Sequence, residues 1–228
     1  MNDHVHDLAL LSDATNRLLD AAAGLDDDAV SAPSRLPGWT RGHVLAHLAR
    51  NADALLNVLA GRPMYASAEA RDADIARDAP RPLAVQLADV RATADAFARE
   101  TGEPADWSRT VELRNGVVDA ASRVPFRRLI EVELHHVDLG IGYELEDLSE
   151  EFTQRETEFL TERFGRHPDL PSIGLKDSAG RVWTTGGGLA DTLGVEGTAA
   201  DLLGWLAGRR DGGALKVTGG NLPVLPPL

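Results

Sequence analysis

Apolar residues recur at steps of three or four positions along four long segments in the first 141 residues of the chain. This period is typical of amphipathic helices that bury one face. Thr40 is a suitable N-cap for the second segment, and Gly61 is a suitable stop. Four amphipathic helices predict a bundle with a shared core. The long helices are expected over residues 3–23, 41–60, 83–97 and 125–141, with a shorter helix over residues 66–77.

The pattern changes between the third and fourth long helices. Two short segments, TVELR and VVDAA, flank Asn115 and Gly116. Asn-Gly is a favoured two-residue turn because both residues adopt positive φ angles with little strain. The segment therefore predicts a small β-hairpin.

Beyond residue 146 the chain carries a helix with an acidic start, followed by short strand-like segments separated by glycine. Further strands are expected over residues 172–176, 181–184, 192–195 and 214–218, with a helix over residues 198–207. We therefore predict an α+β protein. Its N-terminal domain would be a four-helix bundle over residues 1–146, and its C-terminal domain a small α+β domain over residues 147–228.

Composition and charge exclude several classes of function. The 228 residues include no cysteine, which excludes disulfides, a cysteine nucleophile and thiolate metal ligands. The formal net charge of -13 disfavours nucleic acid and anionic membranes as partners. The chain has no apolar run of about 18 residues, and its first residues do not resemble a signal peptide. We therefore expect a cytoplasmic protein, with a monomer as the default.

Glu131 and His135 are the first candidates for chemistry. They lie four residues apart in the fourth long helix, so their side chains share a face and could meet a single ion. Their row borders the apolar stripe at the rim of the bundle interior, whereas Glu133 and His136 point elsewhere. The alternative is an exposed pair that forms only a weak intrahelical ion pair.

A third ligand is available from the second long helix, which carries His43 and His47. Either histidine could contribute, because helical bundles can hold metals on inward-facing side chains of different helices. His47 is favoured because it borders the apolar stripe, while His43 lies in the first turn after Thr40. Two histidines and one glutamate suit zinc or a similar divalent ion.

Four blocks of the sequence resemble a known family. They are LPGWTRGHVLAHLARNADAL, PMYASAEARDADI, EVELHHVDLG and GTAADLLGWLAGR. Together they are similar to the mycothiol-dependent maleylpyruvate isomerases, which combine a DinB-like metal-binding bundle with a small C-terminal domain. The first and third blocks are shared with a wider superfamily of thiol-dependent proteins. The second block and the final GR are closer to the isomerases.

The resemblance implies which residues form the site. The family's metal ligands fall on His47, Glu131 and His135. Its positively charged catalytic and substrate-binding residues fall on Arg71 and Arg209, so the C-terminal domain is expected to close over the metal. A planar, permanently charged guanidinium suits the two carboxylates of the substrate. Without the resemblance, both arginines would be interpreted as surface residues.

The resemblance also implies a reaction, the cis–trans isomerisation of maleylpyruvate to fumarylpyruvate in the gentisate pathway of aromatic catabolism. Adding mycothiol to the conjugated alkene creates a single bond that can turn, and elimination then releases the thiol. A divalent metal, expected to be zinc, would activate the thiol or polarise the substrate oxo group. Asn51 and Asp138 are candidates to orient the ligands through hydrogen bonds, because they follow His47 and His135 by about one turn.

Two other functions stay open at this point. The first keeps the metal and the thiol but changes the reaction, as in a mycothiol S-transferase that acts on another electrophile. Arg71 and the PMY segment favour the isomerase over this alternative. The second is a non-enzymatic binding protein without a metal, in which the histidines are structural.

Overall fold

The computed structural model describes residues 4–102, 105–165, 167–188 and 192–227. The chain forms two compact units, Met1–Tyr143 and Glu144–Leu228. Residues 1–3, which include the predicted start of the first helix, lie outside the described residues. No helix within the described ranges is long and apolar enough to cross a membrane.

The first unit is a helical bundle. Its helices are α1 His4–Ala22, α2 Asp27–Ser31, α3 Arg41–Leu59, α4 Ala68–Asp78, α5 Leu83–Gly102 and α6 Val124–Leu139. The helix α1 packs on α5 and α6, and α3 packs on the same two helices, which closes the bundle. Large apolar side chains fill the space between them and are at most 2% exposed, as for Leu18, Leu45, Leu55, Phe97 and Leu129.

Local sequence signals set the ends of α3 and α6. The Thr40 side chain accepts a hydrogen bond from the backbone N–H of His43, and the His43 ring accepts one from the backbone N–H of Thr40. The helix α6 has Pro125 in its first turn and ends at Leu139. The next residue, Gly140, has a left-handed φ of 64°. Glycine adopts this conformation without a Cβ clash, so α6 stops two residues before the predicted end.

The predicted hairpin lies between α5 and α6. Its strand β1 Thr110–Glu112 pairs antiparallel with β2 Val118–Ala120. Asn115 and Gly116 adopt φ angles of 60° and 70° in the connection, as the turn preference requires. The hairpin prediction is therefore confirmed. Short 3-10 turns cover Arg114–Gly116 and Ala121–Arg123.

Gly42 allows α3 to approach the segment that follows α4. A Cβ at this position would lie 2.1 Å from the carbonyl oxygen of Ala79 and 2.9 Å from Nε2 of Gln86. Gln86 is buried and donates a hydrogen bond to the same carbonyl oxygen. A side chain at position 42 would therefore push α3 away from this contact and shift His47 with it.

An ion-pair network ties α3, α4 and α5 together. Asp78, at the end of α4, is 4% exposed, and its Oδ1 lies 2.9 Å from Nε of Arg77. Its Oδ2 lies 3.4 Å from Nη1 of Arg50 and 3.3 Å from Nη2 of Arg81. Asp89 of α5 binds Arg50 at 2.8 Å and Arg81 at 2.6 Å. The pairing compensates for removing the Asp78 carboxylate from water.

The second unit packs helices against a mixed sheet. Its elements are α7 Glu150–Phe164, β3 Ile173–Asp177, β4 Val182–Thr185, β5 Leu193–Gly197, α8 Ala199–Leu206 and β6 Lys216–Thr218, with a 3-10 turn over Leu145–Asp147. The strand order is β4-β3-β5-β6, with β3 and β5 parallel and the outer pairs antiparallel. The helix α8 packs on β3 and β5, and α7 packs on β4 and α8. The predicted α+β fold is confirmed.

Replacing Asp78 with alanine is expected to destabilise the protein by about 3 kcal/mol at pH 7, because three arginines lose a buried partner. Burial alone raises the pKa of Asp78, but ion pairs with Arg77, Arg81 and Arg50 outweigh burial and lower this pKa below 3.8. A carboxylate whose pKa is lowered by folding stabilises the fold above its unfolded pKa. This stabilisation is lost as the pH falls through the folded pKa. The difference in unfolding free energy between wild type and D78A should therefore shrink below pH 3.8.

Urea denaturation of both proteins at pH 7 and at about pH 3 measures this difference. Asp74→Ala is the matched control, because the Asp74 side chain is 48% exposed on the same helix. Its effect should stay within about 0.5 kcal/mol. A D78A protein as stable as wild type at pH 7 would contradict the role given to the network.

Candidate metal centre

Glu131 and His135 project from neighbouring turns of α6. His135 Nε2 lies 3.2 Å from Glu131 Oε2. His135 is buried, whereas the Glu131 side chain is 32% exposed. Buried apolar residues of the same helix, including Leu134 and Val137, anchor α6 on both sides of His135. The pair therefore extends from a firmly packed backbone.

His47 reaches the same point from α3. His47 Nε2 lies 2.9 Å from Glu131 Oε2, and the His47 and His135 rings meet edge-on with centroids 4.7 Å apart. One potential ligand atom from each of the three residues lies within 4.8 Å of the others. The Trp39 ring packs against His47, with centroids 5.5 Å apart. The fold thus brings together side chains that are far apart in the sequence.

Asp138 is hydrogen-bonded to the His135 ring. Asp138 Oδ2 lies 2.8 Å from His135 Nδ1, and the carboxylate is fully buried. An ionised carboxylate has no proton to donate, so the N–H at Nδ1 is the donor. This directs Nε2 toward Glu131, and it is Nε2 that would lose its proton and supply the lone pair when a metal is bound. Asp138 makes the hydrogen bond that its spacing predicted.

Burial and hydrogen bonds set the charges in the cluster. Burial lowers the pKa of His47 to about 4, so its ring is neutral near pH 7. Burial alone would raise the pKa of Glu131, but hydrogen bonds from His135 and His47 hold that pKa well below its usual range. Burial opposes protonation of His135, yet Asp138 and Glu131 raise its pKa overall. An ionised carboxylate therefore faces two imidazoles, of which His47 is neutral.

This donor set fits a divalent metal ion. Imidazole nitrogens and carboxylate oxygens are ligands that zinc and similar ions accept in proteins. Within the described ranges, His47, Glu131 and His135 form the cluster whose atoms lie close enough to share one ion. Three protein ligands also leave coordination positions open for water or a substrate.

Arg71, carried by α4, lies beside the cluster. Its Nη2 is 3.3 Å from His47 Nδ1, and its Nη1 is 2.7 Å from Asp72 Oδ1. The guanidinium carbon lies 5.9 Å from the centroid of the Tyr65 ring. The Arg71 side chain is 15% exposed, so a permanent positive charge stands largely out of water next to a candidate ligand.

The other predicted residues have different surroundings. His43 caps α3 together with Thr40, which leaves His47 as the histidine of α3 that faces Glu131. Arg209 lies in the second unit, where its Nη1 donates to the carbonyl oxygen of Ala207 at 2.7 Å. The role of Arg209 stays a prediction.

Asn51 is hydrogen-bonded to Arg128 of α6, and its role in orienting the ligands stays a prediction. Its Oδ1 accepts a hydrogen bond from Nη1 of Arg128 at 2.8 Å, and no hydrogen bond joins its side chain to a candidate ligand among the described residues. The reason is that α6 brings a buried guanidinium opposite Asn51, and a buried donor requires an acceptor. Asn51 therefore provides an acceptor for Arg128.

Glu133 and His136 point away from the cluster, as predicted. Glu133 accepts hydrogen bonds from Nη2 of Arg17 at 2.6 Å and from the hydroxyl of Tyr143 at 2.9 Å. The His136 ring stacks on the Tyr143 ring with centroids 4.1 Å apart. Both residues therefore belong to a separate polar group on the other side of α6.

Two residues near the cluster were missed from the sequence. Arg128 is 1% exposed and lies three residues before Glu131, so helical spacing could have shown that the two share a face. Tyr65 packs on Arg71, but it lies in the irregular connection between α3 and α4, where no periodic signal exists.

The fold and the cluster define the first unit as a helical bundle with a candidate metal centre on facing helices. A sequence model described as "Mycothiol maleylpyruvate isomerase N-terminal domain" matches residues 11–140. The chain therefore belongs to the mycothiol maleylpyruvate isomerase family. The resemblance stated from the sequence is confirmed.

Two solved structures are similar to nearly the whole chain. They are a crystal structure of the mycothiol-dependent maleylpyruvate isomerase and one of a histidine-to-alanine mutant of it. For each, the TM-score is 0.89 and the identity is 25%, and the match covers 99% of this chain and 97% of the other. No curated protein matched the chain.

Replacing Asp138 with asparagine is expected to weaken zinc binding by roughly 10–100-fold, because an amide does not hold the His135 tautomer as a carboxylate does. Competition with a chromogenic chelator measures this affinity. Asp78→Asn is the matched control, since Asp78 is also buried but has arginines as partners. Wild-type zinc affinity in the Asp138→Asn protein would exclude the orienting role.

Proposed function

We propose that the protein is a thiol-dependent cis–trans isomerase that converts maleylpyruvate to fumarylpyruvate, with mycothiol and a divalent metal ion, zinc or a similar ion, as cofactors. The proposal rests mainly on one observation. His47, Glu131 and His135 form a cluster beside Arg71, in a chain of this family.

His47, Glu131 and His135 would hold the metal ion. When bound, the ion would supply positive charge that favours a thiolate or polarises an oxo group of the substrate. The chain's own residues prepare this site. Asp138 holds His135 in the tautomer suited to ligation, and burial keeps His47 neutral. One carboxylate among the ligands leaves the positive charge of a divalent ion only partly neutralised.

The nucleophile would come from the thiol, because the chain contains no cysteine. An ordinary thiol has a pKa near 8.5 and is mostly protonated at neutral pH. Arg71 adds a permanent positive charge next to His47, which favours the thiolate over the neutral thiol.

Arg71 would also bind a carboxylate of the substrate. Its present partner Asp72 is 67% exposed, and an exposed ion pair is weak enough for a substrate carboxylate to replace it. A guanidinium can bind a carboxylate through two parallel hydrogen bonds. We extend the proposal to Arg209 for the second carboxylate on the basis of the family resemblance.

Replacing His47 with alanine is expected to abolish metal binding and thiol-dependent turnover together, because the cluster loses one of three ligands. Elemental analysis of the purified protein measures the metal, and turnover of maleylpyruvate with thiol is followed before and after chelation. We expect one equivalent of metal in wild type, with activity lost on chelation and restored by zinc.

Other outcomes separate the alternatives. Metal without isomerisation, together with a stable thiol adduct from another electrophile, would support a mycothiol S-transferase. Absence of metal, with stability unchanged on chelation, would support a binding protein. Full activity in a metal-free H47A protein would exclude the proposed role of the cluster.

Replacing Arg71 with glutamine is expected to lower kcat/KM by roughly 10–100-fold, the loss typical of a charged hydrogen bond. Arg71→Lys should be intermediate, because it keeps the charge but loses the bidentate geometry. Asp72→Asn is the control and should retain wild-type turnover, since it removes only the exposed partner of Arg71. Equal kcat/KM in R71Q and wild type would contradict substrate binding by Arg71.

A further inference from the structure

A cavity of about 120 Å³ opens between α1 and α5. None of the candidate metal ligands lines it. Its walls combine apolar side chains with a few polar groups. The apolar walls come from Leu8, Leu11, Leu19 and Phe97, and the polar groups include Thr15 and Asn16.

Arg128 of α6 also lines this cavity, although it is only 1% exposed. Its Nη1 donates to Asn51 Oδ1 at 2.8 Å. Its Nη2 is buried and has no hydrogen-bond partner within the described part of the chain. A buried donor without an acceptor is costly, and a charged donor more so. The guanidinium therefore has the capacity to bind one more acceptor.

We propose that this cavity binds a small carboxylate with an apolar body. The carboxylate accepts a hydrogen bond from Arg128 Nη2, which has almost no accessible surface and has to turn toward the cavity to meet it. The body packs against Leu11, Leu19 and Phe97. The volume is somewhat smaller than the cavity of about 150 Å³ that accommodates benzene in another protein. Because this cavity opens to solvent, part of a single ring can stay outside it. Apolar walls with one convergent polar group are the usual features of a small-molecule site.

The charges around the cavity favour a monoanion. Burial lowers the pKa of Arg128 to about 10, so the guanidinium is protonated at neutral pH. Arg91 and Asp95 line the cavity with opposite charges that nearly cancel. Arg128 thus provides a positive charge, which Glu131 and Asp53 partly offset from outside the cavity. A chain with net charge -13 disfavours ligands with several negative charges. Nucleotides are too large for this volume.

The inference does not depend on the proposed isomerase function, because no residue of the candidate metal centre lines the cavity. It assigns Asn51 a specific task, to hold one end of the Arg128 guanidinium while the other end has no hydrogen-bond partner among the described residues. It also gives a reason for a fully buried arginine in a bundle that could have been filled with apolar side chains.

The test uses benzoate as the probe and the full chain as the protein. Isothermal titration and thermal melts are recorded with benzoate, with benzamide and with acetate at equal concentrations. Benzamide has the same ring without the charge, and acetate has the charge without the ring. We expect saturable binding and a raised Tm with benzoate only.

Two variants locate the site. Ala94→Phe fills the cavity from α5 and leaves Arg128 in place, so it should abolish benzoate binding. Arg128→Gln should weaken binding by about tenfold or more, because a charged hydrogen bond is lost. Arg99→Gln is the control, since Arg99 lies exposed on α5 and does not line the cavity, and it should bind as wild type does. A melt without ligand shows whether each variant is folded.

Three results would overturn the proposal. One is the absence of saturable benzoate binding to wild type up to about 10 mM, which would leave water as the partner of Arg128. Another is equal binding of benzamide, which would show that the charge is not recognised. The last is wild-type binding by a folded A94F protein, which would place the benzoate elsewhere, for example at Arg71.

Discussion

Polar groups buried inside a helical bundle are stable only when each meets a partner of suitable charge or hydrogen-bonding capacity. In this protein the contact between α3 and α6 supplies the partners for two such pairs. His47 meets Glu131 there, and Asn51 meets Arg128. If α3 turned or moved by a fraction of a helical turn, both pairs would separate and leave charges without partners. The constraint explains why Gly42 is needed where α3 approaches its neighbours.

The chemistry of the site follows from this arrangement. A chain with net charge -13 repels anions from most of its surface, yet its proposed substrate is a dianion. Local positive charge resolves this conflict. The Arg71 side chain is largely shielded from water. A shielded charge acts more strongly on its neighbours than an exposed charge does. Burial likewise keeps His47 neutral, so the ring offers a lone pair to an ion and does not repel it.

The sequence predicted the parts of this site that depend on local geometry. The spacing of Glu131 and His135 on one helix is local, and so is the bond from His135 to Asp138. The choice of the third ligand depends on tertiary structure, because the positions of His43 and His47 along a helix do not reveal which turn faces α6. Helical spacing places Arg128 on the face of Glu131, but its partner Asn51 is 77 residues away, so spacing alone could not show that this arginine is buried with an acceptor. Pairing across the bundle becomes visible only when the helices are assembled.

The separation of 84 residues between His47 and Glu131 also affects how the protein would acquire its ion. In an unfolded chain, Glu131 and His135 stay near each other, but bringing His47 to them requires closing a long loop at an entropic cost. An ion would therefore bind the unfolded chain weakly and the folded bundle strongly, and it would clamp α3 to α6 after they meet. A newly made chain would then fold before it competes for metal. Shortage of metal would yield inactive but intact protein, ready to be loaded when the supply returns.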